Sequence, residues 1–309
     1  MRAIPIPVLV AGDANVDLVL RGDVVPRFGQ AEQLVDAGGL VVGGSASIAA
    51  CGLARLGVPT SLVARVGSDP FGRFQLDALA AAGVDVAQVS VDPSVPTGLS
   101  VILSAADDRA ILTVLGTIPL LTGDDVRAAL AATGARHLHV ASYFLQPTLA
   151  ASLPALLADV RAAGVTVSLD TNWDPAERWA GVVDVLGLVD VFLPNLAELR
   201  ALGAVLGVGG PDLDLARGLA ALGPRIVVKA GADGGWSVGA DGVPVHVAGP
   251  SVEVVDTTGA GDSFDAGYLA AMAHGVDDES ERLRWATVAG SLSTLGAGGT
   301  GRQATPDDL

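Results

Sequence analysis

Short runs rich in Val, Leu and Ile alternate along the chain with longer Ala/Leu-rich segments. The runs at 8–12, 61–66, 137–140, 165–169, 189–193 and 225–229 are short and rich in Val, Leu and Ile, the first of them apolar throughout. That is the pattern of strands buried on both faces. The segments 47–56, 71–82, 124–131, 148–163, 196–202, 213–222, 260–274 and 278–295 read as helices. Strands separated by helices predict a parallel sheet, because parallel neighbours need crossover connections. The expected fold is a doubly wound α/β architecture with helices on both faces.

Two stretches break this rhythm. Residues 16–42 and 95–114 alternate in the β manner and carry turn residues but little helix. They predict a small second sheet beside the main one, and a lid over a ligand is its natural use. No internal repeat, low-complexity tail or linker interrupts the pattern. The whole chain, 1–309, is therefore expected to form one domain with lid segments at about 16–42 and 95–114.

Composition narrows the class. Half of the 309 residues are hydrophobic and 17% are charged, which excludes a disordered chain. The apolar stretches at 149–157 and 182–193 are broken by Pro, Asp or Gly. They fall short of the roughly 20 residues of a membrane span. The first residues run straight into a strand pattern without a signal-peptide core, so the expectation is a cytoplasmic protein with no membrane partner. A net charge of −16 argues against a nucleic-acid partner. An acidic protein can still hold phosphate through backbone amides, helix N-termini and metal. A single Cys excludes an internal disulfide and a Cys-built zinc site, and His137, His139, His246 and His274 show no metal spacing. Lys229 is the only lysine against 17 arginines.

Five segments carry candidate chemistry. The string 256–264, DTTGAGDSF, opens a long small-residue helix. Successive amides there can form an anion nest backed by the helix dipole, and Asp262 in the first turn can accept a hydroxyl proton. The alternative is a Gly-rich loop with a helix-capping Asp. Asn195 and Glu198 stand three apart just past the run 189–193. They either face a crevice at strand ends, as oxygen ligands for hydrated Mg²⁺, or simply cap a helix. Lys229, Gly231 and Gly234 lie on a Gly turn after a strand, which can admit a nucleotide or merely join two strands. Asn15 and Asp17 alternate onto one side after the first strand and can hold sugar hydroxyls or form a solvated turn. Gly43 and Gly44 lead into a helix and can present backbone to a small ligand.

With these pieces in this order, the chain resembles the ribokinase-like (PfkB) family of carbohydrate kinases over nearly its whole length. DTTGAGDSF and GGSASIAACGLARLG match the family's two signature regions. The resemblance implies a three-layer α/β/α sandwich with a mostly parallel central sheet and a small β-sheet lid. It implies ATP, Mg²⁺ and phosphorylation of a sugar hydroxyl. Asp262 then corresponds to the base, with Gly259, Ala260 and Gly261 as the anion hole. Asn195 and Glu198 match an element that organises Mg²⁺ and phosphate, largely through water. Lys229, Gly231 and Gly234 fall beside the nucleotide. Asn15, Asp17, Gly43 and Gly44 match the substrate grip. Asp256 and Thr258 correspond to positions that in many members offer oxygens to a monovalent cation, usually K⁺. Lid sheets in the family often pair between subunits, so a homodimer is consistent with the resemblance.

The chain departs from the pattern at two places. Ile48 stands where the diglycine motif usually continues to an Asn, so one substrate hydrogen bond is expected to be lost. Residues 170–174, DTNWD, resemble a D-x-N-x-R segment with Asp174 in place of Arg. An uncharged sugar or a nucleoside is therefore expected rather than an anionic acceptor. Tyr143 either lines the substrate pocket or packs in the core. The competing functions are a nucleoside or sugar-acid kinase of the same family, and a non-catalytic sugar- or nucleotide-binding relative. A dinucleotide-dependent oxidoreductase would need G-x-G-x-x-G after the first strand, where the chain has GDANVD.

Overall fold

The structure, a computed structural model, describes residues 4–30, 32–105 and 109–309. The strands in chain order are β1 (Val8–Ala11), β2 (Asn15–Arg21), β3 (Ala37–Gly43), β4 (Thr60–Gly67), β5 (Val89–Asp92), β6 (Gly98–Ser104), β7 (Arg109–Val114), β8 (His137–Val140), β9 (Thr166–Leu169), β10 (Val191–Phe192), β11 (Arg225–Lys229), β12 (Gly235–Val238) and β13 (Pro244–Val247). The α-helices are α1 (Ser45–Arg55), α2 (Pro70–Ala81), α3 (Gly123–Thr133), α4 (Pro147–Ala162), α5 (Val182–Leu186), α6 (Leu196–Val205), α7 (Asp212–Ala220), α8 (Ala260–Ala273) and α9 (Glu279–Ser293).

Strand β1 explains why its run is apolar throughout. Leu9 and Ala11 enter one core cluster, while Val8 and Val10 enter another on the opposite face. Helices α3 to α7 cover the first face through residues such as Val126, Leu153, Val185, Leu199 and Leu215. Helices α1, α2, α8 and α9 cover the second through Leu53, Leu79, Ala266 and Ala286. Each fully buried Leu contributes roughly 1.5–3 kcal/mol relative to exposure.

The main sheet has the order β13-β12-β11-β10-β9-β8-β1-β4-β5 among the described residues. From β11 to β5 every pairing is parallel, and β12 and β13 add antiparallel to one end. This is the expected α/β sandwich. The pattern of apolar runs did not predict β5, β12 or β13. Burial alternates along β13 and only partly covers β5, so neither gives a continuous apolar run.

The expected second sheet is present, with order β3-β2-β6-β7. Residues 31 and 106–108 of the two lid segments, and residues 1–3 of the chain, lie outside the described residues. Only three residues separate β1 from β2, so the start of this sheet is held at the carboxyl end of β1. In a parallel sheet that end is where ligands bind. Among the described residues, no helix is long and apolar enough to cross a membrane.

Candidate active site

Several strand ends and the starts of α1, α6 and α8 come together beside the small sheet. Asn15 and Asp17, at the head of β2, are buried, and Asn15 Nδ2 donates to Asp17 Oδ1 at 2.9 Å. Gly43 pairs with Asn15 across β2 and β3. A Cβ at Gly43 would overlap the Asp17 carboxylate and come within 2.7 Å of Asn15 Nδ2, so only glycine fits there. Gly44 follows as the N-cap of α1. Burial, with the charges of Asp13 and Asp262, pushes the Asp17 carboxyl up to about 7 against its bonds from Asn15 and Ser100.

Asp262 lies in the first turn of α8, behind Gly259 at φ 71°. That left-handed conformation favours glycine. The first amides of a helix have no intrahelical acceptor, so α8 aims donors at the crevice. Of the three residues expected to form the anion hole, Ala260 already donates its N–H to Thr257 O at 3.3 Å. Burial pushes the Asp262 carboxyl up to about 7; the Asp170 and Asp13 charges add to this, while Lys229 and a Ser45 hydrogen bond oppose it.

Asn195 and Glu198 form a reciprocal cap on α6. Glu198 N–H donates to Asn195 Oδ1 at 3.0 Å, and Asn195 N–H donates to Glu198 Oε2 at 2.8 Å. The helix-cap alternative is therefore real, and it does not use up both Glu198 oxygens. Glu198 is buried, and burial together with the Asp170 charge pushes its carboxyl up to about 7 against Lys229.

Lys229 Nζ donates to Asp170 Oδ2 at 2.7 Å and to Asp265 Oδ2 at 3.1 Å, so its charge is taken by two carboxylates. Burial would drive a lysine toward neutrality, but Asp170, Asp265 and Glu198 hold Lys229 above its usual range. Asp265 Oδ1 is buried without a partner. Burial, opposed by Lys229 and reinforced by the Asp170 charge, raises Asp265 well above the carboxylate range. A neutral Asp265 hydrogen-bonded to an ionised Asp170 satisfies both.

The stem of Lys229 packs beneath Gly261 and, with Gly231 and Gly234, borders a cavity of about 510 Å³. Val252, Phe264 and Ser291 complete its wall. The size suits a small-molecule ligand. The cavity opens beside Ala260 and Gly261, so it adjoins the helix start.

Asp256 and Thr258, expected to offer oxygens to a monovalent cation, already have protein partners. Asp256 accepts hydrogen bonds from the Thr258 and Gly298 amides and from Arg21, and Thr258 Oγ1 accepts from Arg109. Ile48 is buried with its side chain against Gly259 and Gly299. Asp174 accepts from the amides of Ala176, Arg178 and Trp179 and so shapes a turn. Tyr143 belongs to the core and meets Phe144 edge-on at 5.1 Å. Asp13, Asp170 and Asp265 were missed as site residues. The sequence signal was available: each is an acid at the end of, or inside, an otherwise apolar run.

The model of the pfkB family carbohydrate kinases matches residues 7–305. The chain belongs to the PfkB family of carbohydrate kinases. An ATP-dependent ribose-1-phosphate kinase of Halopiger xanaduensis is 34% identical to this kinase, covering 97% of this chain and 94% of the relative. A fructokinase of Klebsiella pneumoniae is 32% identical over 97% of each chain. Arabidopsis thaliana ribokinase, solved with ribose and ATP, superposes with a TM-score of 0.83 at 26% identity, covering 98% and 97% of the two chains.

Proposed function

We propose that this carbohydrate kinase transfers the γ-phosphoryl group of ATP to a hydroxyl of an uncharged sugar, with Asp262 as general base. The observation that carries this reading is the placement of Asp262. It sits in the first turn of α8, next to Gly261 of the cavity wall and near enough to Asp17 for their charges to interact, and its carboxyl is pushed up to about 7. A base titrating near neutral pH can take the hydroxyl proton as the oxygen attacks phosphorus. The Gly261 and Asp262 amides are placed to stabilise the charge that gathers on the phosphate oxygens, and positioning supplies much of the rest. ATP occupies the cavity bordered by Gly231 and Gly234.

Glu198 suits a hydrated Mg²⁺. It is a buried carboxylate crowded by Asp170 and Asp262, so a cation there relieves repulsion. Contact through water and the nucleotide phosphates suits a single carboxylate in that position. Bound there, Mg²⁺ neutralises phosphate charge.

Asn15, Asp17, Gly43 and Gly44 form the sugar grip in this reading. Asp13, Asp17 and Asp262 crowd that end with negative charge, and Asp174 is spent on a turn. An anionic acceptor would meet repulsion there, although one relative is named for a phosphorylated sugar. The test is ADP release across ribose, fructose, 2-keto-3-deoxygluconate, sugar phosphates and nucleosides. Turnover of a neutral sugar is expected. Selective turnover of a sugar phosphate overturns the uncharged acceptor, and ATP binding without ADP release from any sugar favours the non-catalytic relative.

A further inference from the structure

The loop that leads into α8 already has a cation. Asp256 Oδ1 accepts from the Thr258 amide at 2.9 Å. Its Oδ2 accepts from the Gly298 amide and from the Arg21 guanidinium, each at 2.9 Å. The Asp256 side chain is only 8% exposed. Arg21 is the last residue of β2, in the small sheet. A second arginine of that sheet, Arg109 at the head of β7, donates to Thr257 Oγ1 and Thr258 Oγ1 at 3.2 Å. Gly298, at φ 72°, sits against Val41 of β3 while giving its amide to Asp256. A metal ion on Asp256 would have to displace a guanidinium that is itself part of the fold. Two unit positive charges about 4 Å apart repel appreciably even in a wet site.

We propose that Arg21 is the built-in cation of this loop, tying strand β2 to Asp256 and making phosphoryl transfer independent of any monovalent metal ion. Arg21 acts as a positioning residue. It holds Asp256, which holds the turn that presents the α8 amides. Those amides matter most in the transition state, so loss of Arg21 acts on kcat rather than on the sugar KM. The inference rests on the kinase reading for its kinetic arm only.

The experiment compares chloride salts of K⁺, Na⁺ and tetramethylammonium at equal ionic strength. Wild-type turnover is expected to agree within about two-fold across the three. Arg21→Ala is expected to lose about ten-fold or more in kcat, on the scale of a misplaced oxyanion donor, and to recover part of it with added K⁺ or guanidinium. A wild-type enzyme that is inactive in tetramethylammonium and restored by K⁺ overturns the proposal, as does an Arg21→Ala enzyme with undiminished kcat. Thermal melting gives an arm that needs no turnover and no variant. The wild-type midpoint is expected to be the same in K⁺ and tetramethylammonium, and a K⁺-specific rise overturns the proposal. Wild-type protein that turns over no sugar defeats the kinase reading instead, and the melting arm still decides this one.

Discussion

Lys229 and Asp170, 59 residues apart in the chain, meet at 2.7 Å beneath the start of α8. Their side chains are 10% and 2% exposed. The ion pair joins the ends of β9 and β11 to α8 through Asp265. It also takes up the charge of the chain's single lysine.

Replacing Lys229 by Met should therefore act first on stability. It leaves an ionised Asp170 buried without its partner, and breaking a buried pair in this way costs about 3–5 kcal/mol. Urea unfolding of the ligand-free protein measures it. A loss below about 1 kcal/mol would show that the pair contributes little to holding the strand ends together.

Glu198→Gln separates two roles that the sequence left open. Gln can accept the Asn195 N–H as Glu does, so the α6 cap survives, and removing a buried carboxyl that is pushed up to about 7 should leave stability at neutral pH undiminished. The charge that favours a hydrated cation is lost. The Mg²⁺ concentration for half-maximal activity should rise several-fold and the maximal rate should fall. An unchanged Mg²⁺ titration assigns Glu198 to the cap alone.

The layered fold was legible because its evidence is continuous. Runs such as Val8–Ala11 bury both faces, and their shortness between Pro7 and Gly12 marks them as strand rather than buried helix. Strands β12 and β13 were not: β13 is a half-covered edge strand, and β12, though mostly buried, reads Gly-Trp-Ser-Val and so shows no apolar run. The site was half legible. Asn195, Glu198 and Asp262 are marked by spacing and by their place at helix starts. What Lys229, Asp256 and Ile48 touch is set by long-range contacts, from Lys229 to Asp170, from Asp256 to Arg21 and from Ile48 to Gly259. No local pattern encodes those partners. Ile48 packs against Gly259, just before α8, and against Gly299.

The ligand-free protein should lose stability as pH rises toward 8. Asp17, Glu198 and Asp262 are all pushed up to about 7 in the folded state, chiefly by burial. In the unfolded chain they titrate near 4. Between these values the native state binds more protons than the unfolded state, so stability falls with increasing pH, by at most about 1.4 kcal/mol per group per pH unit. Melting midpoints at pH 5.5 and 8.0 check the sign, with the higher midpoint expected at 5.5. Saturating ATP and Mg²⁺ should flatten the slope, because a bound cation favours the ionised carboxylates.

In the proposed reaction Asp262 takes the acceptor's proton while the Gly261 and Asp262 amides hold the phosphate. Asp262→Asn keeps the size and the helix start and removes the base. The decisive measurement is single-turnover phosphoryl transfer to the best neutral sugar, alongside ATP affinity of the same variant. The account predicts a rate lower by about 10² to 10⁴ with ATP affinity within a few-fold of wild type. A variant that transfers phosphate at close to the wild-type rate would contradict it.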